Sequence, residues 1–315
     1  MILPPKAFLP ATLLGRLGVT NIPPERLDRF ALAAVVLVLA YVWPLINLVR
    51  FAFSSDLYSH IILVPFISLY LAWLKRTSLP VESNSTRSWA FAFLAGGGAV
   101  LLGYWFALLT GSQLPRADAL VLTISSFLLL FCGLCFFYLG LGVVRALVFP
   151  LSFLIFILPI PTFALAAIEA FLQRGSADVA QGLLLLAGTP FFRQDLVFQL
   201  PGITIQVAPE CSGIHSSIAL LITSLLAGYF FLRSPVRRAV LTVAVVPLAL
   251  ARNGFRIFTI SELCVHIGPE MIDSPVHHHG GPLFFALSLV PFGLLLLYLI
   301  KTDRKTGYIR RAPSP

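Results

Sequence analysis

Three observations predict an all-α polytopic membrane protein with about eight spanning helices and a small extracytoplasmic insert of helix and β-hairpin. First, charged residues make up only 11% of the 315 residues and hydrophobic residues 58%, whereas soluble globular chains carry roughly 25% charged residues. Second, apolar stretches close to the ~20 residues that cross a hydrocarbon core recur along the whole chain. Third, basic residues collect at the ends of those stretches. That placement follows the positive-inside bias, so the net charge of +9 reports membrane topology. Separate basic and aromatic stretches of the kind that bind bases are absent from the sequence, which excludes a nucleic-acid partner.

The expected spans are 30–49, 60–74, 89–109, 118–138, 143–161, 212–232, 238–257 and 283–300. Residues 1–29 form a cytoplasmic N-terminal segment, in which scattered prolines and basic residues give no cleavable signal pattern, so the first run stays as a helix. Gly96-Gly97-Gly98 in the third run allow close helix packing. Cys132 and Cys135 form a CxxC inside FLLLFCGLCFF, where no polar neighbour supports redox or metal chemistry; they are read as small packing residues. The membrane domain covers 30–300 and holds an insert at 162–210. Within it, 162–188 is apolar but carries Glu169, Arg174 and Asp178, as expected of helices lying at the membrane surface or leaning on the bundle. The segment 189–209 is rich in Val, Ile, Phe and Thr and broken by Pro201-Gly202, which predicts a small hairpin. Residues 301–315 form a basic cytoplasmic tail.

With both termini cytoplasmic, all but six of the 22 basic residues fall on the cytoplasmic side, the six being Arg50, Arg116, Arg174, Arg193, Arg252 and Arg256. Three polar clusters then share the outer surface: Glu210-Cys211-Ser212-Gly213-Ile214-His215, Arg252-Asn253-Gly254-Phe255-Arg256, and His277-His278-His279-Gly280-Gly281. Helical spacing sets Cys211 beside His215 and Arg252 beside Arg256. A cysteine at a helix N-terminus is biased toward the thiolate. A histidine moves the proton, and an arginine stabilises an oxyanion. The set is an acyl-transfer kit. Against it stand plainer roles: Cys211 as a small buried residue or a disulfide partner of Cys264, and the arginines snorkelling or paired with Glu262 or Asp273. His277, His278 and His279, with Glu270, Asp273 and His266 nearby, also allow a zinc site. His60, opening the second span, is an interfacial residue or a lining of the substrate groove.

APECSGIHS at 208–216, ARNGFRI at 251–257 and HHHGGPLFF at 277–285, with the weaker YSHIILVP at 58–65, make the chain resemble the exosortase/archaeosortase family of multi-spanning membrane cysteine proteases. The resemblance is strongest over 189–300 and implies a nucleophile at Cys211, a carbonyl-stabilising arginine at Arg256 and an acid/base at His277, whose spacing to Gly281 and Phe285 fits the family pattern. His215 stands where family members often carry arginine or asparagine, and remains the alternative acid/base. Asn253 reads as a packing or orienting residue for the arginine. The resemblance further implies a cysteine endopeptidase or transpeptidase of the bacterial inner membrane, its site facing the periplasm. It would act on exported proteins that end in a PEP-type motif, a hydrophobic span and a basic tail, often linked to exopolysaccharide production. Membrane lipids surround it, and the chemistry calls for no cofactor or metal. The alternatives are a non-enzymatic component of exopolysaccharide assembly or export, and a metal-dependent membrane peptidase.

Overall fold

The computed structural model describes residues 23–80, 87–209, 212–274 and 280–309. The described residues are 81% helical, and the chain divides into two compact units, Met1–Thr162 and Phe163–Pro315.

In the first unit prolines set the helix breaks. Helix α1 (Pro24–Ala40) ends four residues before Pro44, and α2 (Val42–Phe53) leaves it at a bend of 67°. A proline ring clashes with the carbonyl four residues upstream and cannot donate to it. The break at Ala40 is where that clash falls. The run expected as one span over 30–49 is therefore a bent pair. A 3-10 turn over Asp56–Ile62 leads into α3 (Val64–Leu74). Helices α4 (Arg87–Leu109) and α5 (Arg116–Leu134) interlock. A Cβ added at Gly97 would lie 2.8 Å from Leu130 Cγ, and one at Gly133 2.7 Å from Leu94 Cγ. Each helix offers a glycine to the other's leucine, which is how helices gain dispersion contacts in lipid, where apolar transfer gives no drive. Of the three adjacent glycines, Gly97 is the buried one. Ser126 donates to Gly97 O (2.7 Å) and shares a 2.7 Å hydrogen bond with Tyr41.

The chain then runs through a π-helical turn over Cys135–Leu139 into α6 (Gly140–Ala146) and α7 (Val148–Phe153). Cys132 and Cys135 are free, and Cys135 is buried in an apolar cluster with Leu139, Val143 and Val144, as packing residues would be. The span expected at 143–161 is again broken by proline: Pro150 lies four residues after the last residue of α6.

The second unit opens at Phe163 within α8 (Thr162–Ala187), one continuous helix of 26 residues where helices at the membrane surface or leaning on the bundle were expected. The hairpin expected over 189–209 is a three-stranded antiparallel meander of β1 (Phe192–Gln194), β2 (Val197–Leu200) and β3 (Ile203–Gln206), in the order β1-β2-β3. Its second turn, Pro201-Gly202, sits where Leu200 pairs Ile203, and Gly202 takes φ +83°. The sheet's inner residues Phe198, Leu200, Ile205 and Val207 share a core with Ala177, Ala180 and Leu184 of α8, and with Ile257, Ile260 and Cys264 of α11 (Val245–His266). Gly254 of α11 permits this approach: a Cβ there would lie 2.5 Å from Val179 Cβ.

Helices α9 (Ile214–Phe231), α10 (Pro235–Val243), α11 and α12 (Gly281–Ile309) complete the unit. Asp303 accepts Arg233 N–H at 2.7 Å and pairs with Arg237, tying the α9–α10 link to α12. Among the described residues six helices are long and apolar enough to cross a membrane, and up to eight if each of two bent pairs is one span. The two bent pairs take in the runs expected at 30–49 and 143–161, the second of them joining α8. Large apolar side chains such as Leu109 (83% exposed) and Leu186 (87%) face outward, which suits lipid as the surrounding medium.

Candidate active site

The cluster around α11 and the start of α9 belongs to the second unit. Gly213 is the N-cap of α9, with φ +72° and ψ 18°. Its carbonyl accepts the Ser217 N–H (3.0 Å), the Ser217 hydroxyl (2.8 Å), and Arg252 Nη2 (3.0 Å). A Cβ at this position would lie 2.8 Å from Arg252 Nη2 and 3.0 Å from Asn253 Oδ1. The position therefore calls for glycine twice, for its left-handed backbone and for the space that the guanidinium occupies. Gly213→Ala is expected to lower stability by about 1–2 kcal/mol from backbone conformation alone, seen as a lower thermal midpoint of the purified protein in detergent. An unchanged midpoint would contradict this reading of the cap.

Arg252 is 8% exposed and Ser212 1%. Arg252 Nη1 and Ser212 Oγ are buried and have no hydrogen-bond partner among the described residues. Leaving such a group unsatisfied costs about 1–3 kcal/mol, and buried groups of this kind ask for an explanation in function. Ser212 N–H donates to Pro209 O at 3.0 Å, which brings together the flanks of residues 210 and 211.

A cavity of about 230 Å³ lies between the strand segment 204–208 and one face of α11, with Asn253, Arg256, Ile257 and Ile260 on the helix side and Ile272 also in its lining. Asn253 is 2% exposed and Arg256 half-buried. Their positions at 253, 256, 257 and 260 follow the helical repeat, so one face of α11 makes the wall.

Of the residues singled out from sequence, Cys211 and His277 lie outside the described residues, as do Glu210, His278 and His279. Arg256 lies on the cavity wall. His215 is exposed on the first turn of α9. Because α9 begins at Ile214, residue 211 precedes the helix, and the helical spacing expected to set Cys211 beside His215 does not apply. Arg252 neither snorkels nor pairs with Glu262: it turns inward to Gly213, while Glu262 accepts from Thr189 Oγ1 and meets His266 Nε2 at 3.0 Å. The helix that carries both arginines continues to His266, past the expected end at 257, which sets them in its interior. Cys264 is free and buried, so no disulfide engages it. His60 belongs to the first unit, where its Nδ1 lies 3.0 Å from Leu57 O. Among the described residues no group of three His, Cys, Asp or Glu side chains is placed to hold a metal ion, and His277–His279 fall outside that statement.

The Arg252–Gly213 contact was open to inference only indirectly, since an arginine buried within a span must find carbonyl or hydroxyl partners. The cavity beside the strand had no signal in the sequence.

A family model described as transmembrane exosortase matches residues 52–294, a range that takes in the sheet, the start of α9 and the whole of α11. No curated protein and no solved structure matches. With the greater part of its length covered by that match, this chain belongs to the transmembrane exosortase family.

Proposed function

We propose that the protein is a membrane cysteine endopeptidase or transpeptidase of the bacterial inner membrane that cleaves PEP-CTERM-like C-terminal sorting signals through a thioester on Cys211. Family membership supports a membrane transpeptidase or protease role. The observation that supports the finer reading is the set of donors at the Gly213 cap: the buried, unsatisfied Ser212 Oγ and Arg252 Nη1, with Arg256 on the wall of the cavity along α11.

In this mechanism the substrate's tail span lies in the bilayer and its motif meets the periplasmic face, the side assigned by the positive-inside bias. Cys211 lies just ahead of the α9 N-terminus, whose positive dipole end favours the thiolate. The thiolate attacks the scissile carbonyl carbon, and Arg256 stabilises the negative oxygen that develops. Arg252 acts as a positioning residue by holding the Gly213 cap. Collapse of the intermediate breaks the C–N bond, and His277, with His215 as the alternative, gives its proton to the departing amine. The tail leaves, and the thioester is resolved by water or by an acceptor amine or hydroxyl, which restores the thiol. The polar groups named here suffice for each step without a metal or organic cofactor.

The test is coexpression with an exported reporter ending in a PEP-type motif, a hydrophobic span and a basic tail. The expected result is a shorter reporter on a gel, also in membranes treated with a chelator, and an uncut reporter once the motif is deleted. Cleavage that stops with chelator would move the assignment to a metal-dependent peptidase.

A further inference from the structure

We propose that the outer edge of β3 is a strand-pairing site that holds the substrate polypeptide, extended and parallel to β3, immediately before the bond to be cut. This rests on the reading of Cys211 as nucleophile and adds how the backbone of the substrate is held.

Strand β3 stands at one edge of the sheet. Its register with β2 places Leu200 opposite Ile203 across a two-residue turn, and Val207 N–H donates to Leu196 O at 2.9 Å. In an antiparallel ladder hydrogen-bonded and non-hydrogen-bonded pairs alternate. Ile203, Ile205 and Val207 therefore direct their backbone polar groups toward β2, while Thr204, Gln206 and Ala208 direct theirs away from it. Those three outward residues border the cavity. Among the described residues no backbone hydrogen bond from a loop or helix takes up this edge.

Proteins usually cover or blunt a strand edge, because its open row of N–H and C=O groups is a template for another strand. Here the edge faces a cavity instead, and the opposite wall supplies Asn253 and Arg256 together with Ile257 and Ile260. Among the described residues that line the cavity none is acidic. That charge balance favours a carbonyl-rich or anionic occupant over a cationic one. The isoleucines give apolar contacts for the alternate side chains of a strand, the usual division of labour when a peptide is added to a sheet edge.

Continuity of the chain fixes the direction. Strand β3 leads through Val207, Ala208 and Pro209 to residue 211. At about 3.3 Å per residue, a segment of roughly four residues running parallel along 204–208 brings the carbonyl at its C-terminal end to Ala208, three residues before Cys211 in the sequence. An antiparallel segment would carry that carbonyl toward Thr204, seven residues before it.

The probe is acetyl-tetraalanine chloromethyl ketone, which alkylates a thiolate with loss of chloride, applied to the full-length protein in membranes. Its rate is compared with that of acetyl-alanine chloromethyl ketone and of four tetraalanine versions, each N-methylated at one residue. Labelling is read at Cys211 by peptide mass. Iodoacetamide, which needs no strand pairing, reports separately whether the thiol is reactive. The expected result is that the tetrapeptide labels at least about tenfold faster than the single residue. N-methylation at alternate positions should remove that advantage, since it deletes the donor aimed at β3 and leaves the other parity unaffected. Equal rates for the long and short reagents overturn strand pairing, as do N-methyl effects with no alternation; either result alongside iodoacetamide labelling leaves the nucleophile standing. A Cys211 that no reagent modifies overturns both the proposed function and this inference.

Discussion

Cys211→Ala is expected to abolish cleavage of a tail-bearing reporter, a loss of at least about 10⁴-fold, at unchanged membrane abundance. The size of the effect follows from covalent catalysis: removing the nucleophile of an acyl-transfer enzyme eliminates the two-step route and leaves only binding and electrostatic assistance to water. Cys211→Ser is expected to fail almost as completely, because the α9 N-terminus favours a thiolate near neutral pH but cannot bring an alkoxide into the same range. The comparison is made by following reporter size over time in cells with matched expression. Full cleavage with Cys211→Ala would remove the nucleophile assignment. An intact secretion phenotype with no cleavage in either strain would favour a non-enzymatic component of an export system.

Arg256→Lys is expected to lower the rate of cleavage by about 10²–10³-fold, the usual effect of deleting a donor aimed at a developing oxyanion. Lysine keeps the charge but loses the planar fork that reaches an oxygen from a fixed frame. Because Arg256 lies on the cavity wall, the substitution is expected to act on the acylation step and to leave iodoacetamide labelling of Cys211 within about threefold. Arg252 makes a useful contrast. Its guanidinium holds the carbonyl of Gly213, two residues from Cys211, so Arg252→Lys is expected to change thiol labelling and cleavage together. If Arg256→Lys and Arg252→Lys behave alike in both assays, Arg256 serves the structure of α11 and not the reacting carbonyl.

The membrane class was plain from the sequence because hydrophobic length and charge placement are bulk properties of each run. Six of the expected spans fall on six long apolar helices. In the two that do not, a proline follows the helix end by four residues, as Pro247 also follows the end of α10 at Val243 without dividing that span. Pro44 ends α1 at Ala40, and Pro150 ends α6 at Ala146. Apolar content conceals such breaks, because it registers the composition of a run and not its hydrogen bonding. The helix at 162–187 carries Glu169, Arg174 and Asp178, charges that argued for more than one helix at the surface or leaning on the bundle; the segment is a single helix, with Arg193 meeting Asp178 at 2.8 Å. Short alternation and Pro201-Gly202 disclosed β2 and β3, but β1 is only three residues long, too short for alternation to register.

At the candidate site, the sequence singled out residue types but not their geometry. Arg252 and Arg256 stood out because ionisable groups in a span call for a reason. Which of them faces the cavity and which faces the α9 cap depends on the rotation of α11 against α8, set by Gly254 against Val179 and Gly175 against Leu250. The start of α9 was likewise displaced. Gly213 in a left-handed conformation forces the helix to begin at Ile214, so an argument from helical spacing could not be carried back to Cys211.

The central claim is the thioester, and the most direct measurement is to trap it. Membranes holding the full-length protein and the tail-bearing reporter are treated with hydroxylamine, which cleaves thioesters and converts the acyl group to a hydroxamate. The reaction is predicted to yield reporter ending in a hydroxamate at the cut site, and, without hydroxylamine, a peptide spanning Cys211 that carries the mass of the reporter's new C-terminal fragment. Cleavage that proceeds with no hydroxamate and no adduct on Cys211 would contradict the account.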